Sequence, residues 1–126
     1  MSEKRGEWLK QADYDMGTAD AMFTSGRYFY AVFMCHLSIE KSSKGLFSKE
    51  LAEVPPKTHN LLYLIKKIGG KPHKNMLKFI TKLNTASVAT RYPDDLSKIQ
   101  AAYTKEITEE MIEKSKEVLK WVKEQL

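Results

Sequence analysis

The sequence predicts an all-α fold, an up-and-down four-helix bundle with one additional short helix, and three observations carry that prediction. Apolar residues recur at the three-and-four spacing of a helix face in four long stretches. Strand-like alternation does not occur. The residues that break helices fall between the stretches, at Gly26, Pro55-Pro56, Gly69-Gly70 and Pro93. A chain of 126 residues fits one domain, 1–126, with room for a hydrophobic core that needs no staples.

The first helix is expected from Glu7 to about Phe23, where Trp8, Ala12, Met16, Ala19 and Phe23 share a face and Gly26 supplies the turn. Asp13 and Asp20 belong to its solvated side. Asp15 falls near the inner surface, as a hydrogen-bond partner for another helix.

The second helix, Arg27 to Leu51, is the element around which the others are arranged. Tyr28, Val32, Cys35, Ile39 and Leu46 line one side and Phe29, Phe33, His36, Glu40, Ser43 and Phe47 the next, so its first half is apolar nearly all round. Such a helix belongs at the centre of a bundle, touched by its own chain and by a second copy. Its second half carries His36, Glu40 and Lys44 at i, i+4, i+8, one above another beside an apolar surface. Two readings of this ladder stand: a local helix-stabilising network, or a polar groove that receives a ligand or partner.

The helix stops before Val54-Pro55-Pro56, and Gly45 is a weak spot inside it. Thr58 is expected to cap a short third helix, His59 to Ile68, with His59 in its first turn. Pro72 opens the fourth, whose buried side is Met76, Phe79, Ile80, Leu83 and Ser87 or Val88. Pro93 ends it and sets Arg91 and Tyr92 at a helix-to-loop junction. That corner is either structural, with Arg91 pairing with an acid such as Glu40, or a binding corner in which Arg91 and Lys44 donate to an anion, Tyr92 stacks, and Glu40 with Asp94 hold the basic groups in place. A loop of about ten residues follows, with one helical turn in Leu96–Gln100. The last helix starts at Thr104 or Thr108, with Ile107, Met111, Val118 and Val122 on one stripe. Its alternating lysines and glutamates read as a solvated face.

Composition removes several function classes. The 21 lysines and arginines against 16 acids give +5, an ordinary value for a small domain, and only three of the cations are arginines. There is no Gly-rich phosphate loop and no Cys/His spacing for zinc, so neither cofactor nor metal is expected. Cys35 reads as a buried hydrophobe in a reducing compartment. No stretch is long and apolar enough to span a membrane, and Met1 to Trp8 lacks the apolar core of a secretory signal, so a cytoplasmic protein with no membrane partner is expected.

Four segments stand in order along the chain: Trp8, Ala12 and Asp15-Met16; Gly26, Tyr28, Ala31, Phe33, His36, Glu40-Lys41 and Lys44; His59-Asn60-Leu61; and Arg91-Tyr92-Pro93-Asp94. Together they resemble the HEPN family, the higher eukaryote and prokaryote nucleotide-binding domain, in its small stand-alone prokaryotic form. The resemblance implies a homodimeric bundle that partners a small nucleotidyltransferase or binds a nucleotide, in a toxin–antitoxin-type pair. The family's ribonuclease toxins carry an arginine followed, after four to six residues, by a histidine. Here Leu96, Ser97 and Lys98 stand at that distance from Arg91, and Val32, Phe33 and Met34 from Arg27. The expectation is therefore a non-catalytic module, without RNA as a partner, whose site residues are His36, Glu40, Lys44, Arg91, Tyr92 and Asp94. The alternative is a ribonuclease toxin that uses displaced histidines, His36 or His59.

Overall fold

The computed structural model describes residues 2–126, with side chains from residue 6 onward; Met1, part of the stretch read for a signal, lies outside the described residues. The described residues form six helices and no strand: α1 Ser2–Thr24, α2 Tyr28–Leu51, α3 Leu61–Lys67, α4 Lys74–Arg91, α5 Leu96–Ala102 and α6 Lys105–Glu124. Helix α2 packs against all five others. Its Val32, Cys35 and Ile39 are buried with Ala12, Met16 and Ala19 of α1, Ile80 and Leu83 of α4, and Met111, Val118 and Val122 of α6. The small residues let α1 and α2 approach closely enough for the Ser38 hydroxyl to donate across to the Ala12 carbonyl at 2.7 Å. Gly26, at φ +78°, closes the turn between them while the Arg27 amide donates to the Met22 carbonyl. Gly45 lies buried in α2 without interrupting it.

Five features differ from expectation. Helix α1 begins at Ser2 rather than Glu7. The last loop contains a seven-residue helix, α5, because Asp95 caps it through the Lys98 amide and Ile99 is buried. Helix α3 begins at Leu61, leaving His59 outside it, because the Asn60 side chain accepts from the amides of both Leu62 and Tyr63, whereas Thr58 reaches only the Asn60 amide. Helix α4 starts at Lys74 rather than Pro72, capped by the His73 ring. On α6 the expected Ile107 is 40% exposed and Thr108 is buried, with Thr104 as the cap. On α4 the buried choice is Ser87, and Val88 faces out.

Asp13 and Asp20 are exposed and paired across to Lys123 and Lys116 of α6, contacts worth about 0–1 kcal/mol each. Asp15 is buried and holds Lys41 of α2 at 2.9 Å. No described helix is long and apolar enough to cross a membrane.

Candidate functional site

Glu40 is the hub. Buried on α2, it needs donors for both carboxylate oxygens, and it receives Lys44 Nζ on Oε2 at 3.0 Å and His59 Nδ1 on Oε1 at 2.8 Å. The first donor comes from the next turn of the same helix. The second comes from the loop between α2 and α3, where His59, its side chain 57% exposed, reaches inward. Lys44 also lies 5.9 Å from the centre of the Trp8 ring, so α1 contributes to the same neutralisation.

His36, one turn before Glu40, is fully buried. Its Nε2 meets Asn84 Oδ1 of α4 at 3.3 Å, and that same oxygen accepts from the Leu61 amide at 3.0 Å. An oxygen already taking a backbone N–H can only accept, so Nε2 carries the His36 proton and Nδ1 is bare. This accounts for Nδ1 standing 3.9 Å from Glu40 Oε1 without a hydrogen bond, since neither atom has a proton to share. Asn84 Nδ2 donates to Asn60 Oδ1, the cap of α3, so one amide joins α2, α3 and α4.

Burial holds the His36 pKa below its ordinary value; Asn84 and Glu40 oppose that, and the charges of Arg91 and His59 add to it. The imidazole is thus neutral near pH 7. The unfolded chain takes up a proton that the folded chain refuses, so this contribution to stability is complete above the unfolded value near 6.5 and is lost as pH falls toward the lowered folded value. Thermal midpoints should drop between about pH 7 and pH 5, and the slope should flatten in His36→Gln.

Arg91 does not pair with Glu40; its guanidinium lies 5.1 Å from the centre of the Phe33 ring, one turn of α2 before His36. The structure therefore gathers His36, Glu40 and Lys44 into one network and sets Arg91 at its margin. Tyr92 is 78% exposed and Asp94 is exposed, and neither side chain hydrogen-bonds to a described residue. Asn60, Asn84 and the inward reach of His59 are additions that apolar periodicity has no means of signalling. Cys35, 0% exposed, has its thiol pushed up to about 12 by burial and offers no thiolate. No cluster of potential metal ligands occurs among the described residues.

The HEPN domain model matches residues 6–125 of the chain. Two solved structures share the fold. TT1696 from Thermus thermophilus is 22% identical, with 98% of each chain covered and a TM-score of 0.82. ST0689, an archaeal HEPN homologue, is 25% identical, with 97% of each chain covered and a TM-score of 0.77. No curated protein matches the chain.

Proposed function

Because this chain belongs to the HEPN domain family, we propose that it works as a non-catalytic binding module, a homodimer that partners a small nucleotidyltransferase or holds a nucleotide in a toxin–antitoxin-type pair. The observation that carries this reading is the outer side of α2. Tyr30, Phe33, Met34 and Leu37 follow one another at i, i+3, i+4 and i+7, exposed or half-buried, on the helix that every other element packs against. An apolar strip of this kind on a central helix suits a two-fold copy. Arg91 borders it over Phe33, with the exposed ring of Tyr92 next in sequence, so a phosphate or a partner carboxylate has a guanidinium and a stacking surface at the edge of that interface.

Light scattering at micromolar concentration should give a dimer mass, and calorimetry with ATP or with a small nucleotidyltransferase should give binding that Arg91→Ala removes while fold and dimer persist. A monomer in solution would sink the assembly half of the reading. Binding undiminished by Arg91→Ala would sink the corner.

A second reading has its own observation. Glu40 fixes His59 through Nδ1, leaving Nε2 of an exposed imidazole without a partner among the described residues, which is how carboxylates orient a general base. RNA incubated with the protein should stay intact. Cleavage abolished by His59→Ala and kept in His36→Ala would establish this displaced-histidine ribonuclease instead.

A further inference from the structure

Charge is distributed unevenly along this chain. The forty residues from Val54 to Pro93 hold eight lysines and arginines and no acid, while the whole chain nets +5, so the remainder nets −3. That segment is α3, α4 and the turns around them. Lys66, Lys67, Lys71, Lys74, Lys78 and Lys82 are all exposed, and none forms an ion pair with a described residue. Elsewhere several lysines are paired, Lys41 with Asp15, Lys114 with Glu110, Lys116 with Asp20 and Lys123 with Asp13, while Lys10, Lys98, Lys105 and Lys120 stand singly among the described residues. Like charges left together repel, and solvated helix faces ordinarily intersperse both signs, as α6 does. Lys78 and Lys82 lie toward α6, beside Lys114 and Glu117, while on the α3 side a groove of about 570 Å³ runs between α3, the Gly69-Gly70 turn and α4, lined by Leu62, Ile65 and Leu77 together with Lys66 and Lys71.

We propose that the α3–α4 face docks an acidic protein segment, whose apolar side chains enter the groove and whose carboxylates meet the lysines. An apolar centre inside a charged rim is the build of a protein interface. Two arguments choose this occupant. Nucleic-acid surfaces use arginine forks and open aromatic platforms, but Arg91, the only arginine in the segment, is the last residue of α4 while the groove meets that helix near its start at Leu77, and Tyr63, an exposed ring of α3, has the Lys67 ammonium 6.0 Å from its centre. A two-fold copy of this chain would set the same lysines against themselves, so the face is not self-complementary. The unpaired lysines would also speed encounter with an acidic partner. This surface is separate from the Glu40 network and does not depend on the role proposed for it.

The test uses a fluorescent synthetic helical peptide with leucines at i, i+3, i+4, i+7 and glutamates on its flanks. A peptide with lysines in place of the glutamates and an oligouridylate of similar length serve as rivals. The acidic peptide is expected to bind at low salt, to shift amide resonances between Leu62 and Lys78, and to lose about tenfold or more in affinity in Lys66→Glu/Lys71→Glu/Lys74→Glu. Lys105→Glu/Lys120→Glu, on α6, should bind as the parent does. All the substituted side chains are exposed, so circular dichroism should show unchanged folds. Absence of binding, shifts confined to other helices, or affinity unmoved by the triple charge reversal overturns the proposal. Oligouridylate binding tighter than the peptide at this face also overturns it and makes the surface one for nucleic acid.

Discussion

Glu40→Gln is expected to lower folding stability by about 3–5 kcal/mol, the range for removing one partner of a buried ion pair. The glutamine keeps the shape and can still accept hydrogen bonds, so the loss isolates the charge. Lys44, its side chain 10% exposed, would keep an ammonium with no carboxylate beside it and only the Trp8 ring for compensation. For a domain of this size the change corresponds to roughly 10–20 °C in the thermal midpoint. Against a typical total of about 5–15 kcal/mol, this is a large fraction of the stability of a small domain. Denaturant unfolding followed by circular dichroism measures it. The double variant Glu40→Leu/Lys44→Met should recover most of the loss, since removing both charges removes the desolvation penalty with them. A loss under about 1 kcal/mol for Glu40→Gln would place the pair in the class of solvated surface bridges and contradict its burial.

Asn84→Ala should cost about 2–4 kcal/mol, because one truncation strands several groups at once. The His36 Nε2–H loses its acceptor in the interior, the Leu61 amide loses its acceptor at the start of α3, and the Asn60 cap loses the donor that holds it. Hydrogen exchange should show the amides of α3 opening ahead of those of α2. Asn84→Asp separates the roles. It keeps an acceptor for His36 and Leu61 but brings a negative charge to the imidazole, favouring its protonated form. With the His36 pKa raised above the unfolded value, its contribution would be present at low pH and fade as pH rises through the new folded value, the reverse of the parent. An acid limb that keeps the parent's shape in Asn84→Asp would mean that His36 does not control it.

Much of this architecture could be read in the order of the residues. Trp8, Ala12, Met16 and Ala19 mark α1 by spacing alone, and the apolar girth of Tyr28 to Cys35 marks α2 as the central helix, which its contacts with all other elements bear out. Helix starts were less legible. Thr58 and Asn60 are both good caps two residues apart, and the choice falls to Asn60, whose oxygen is steadied by Asn84 from another helix. Helix α5 shows in the sequence as little more than a turn, because its seven residues are too short for a periodic face and Ile99 is its one buried side chain.

The helical class, the central place of α2 and the His36–Glu40–Lys44 ladder follow from residue order alone, because they rest on a period of 3.6 residues that operates within a single turn or two. What each rung of that ladder meets was settled by the packing in three dimensions. His59 reaches Glu40 from 19 residues away and Asn84 reaches His36 from 48, while Arg91 lies over Phe33 rather than on the carboxylate it could have paired with. A buried charge takes whichever donor the packing brings within about 3 Å. That choice depends on the register between helices and on the path of a loop, and local spacing encodes neither.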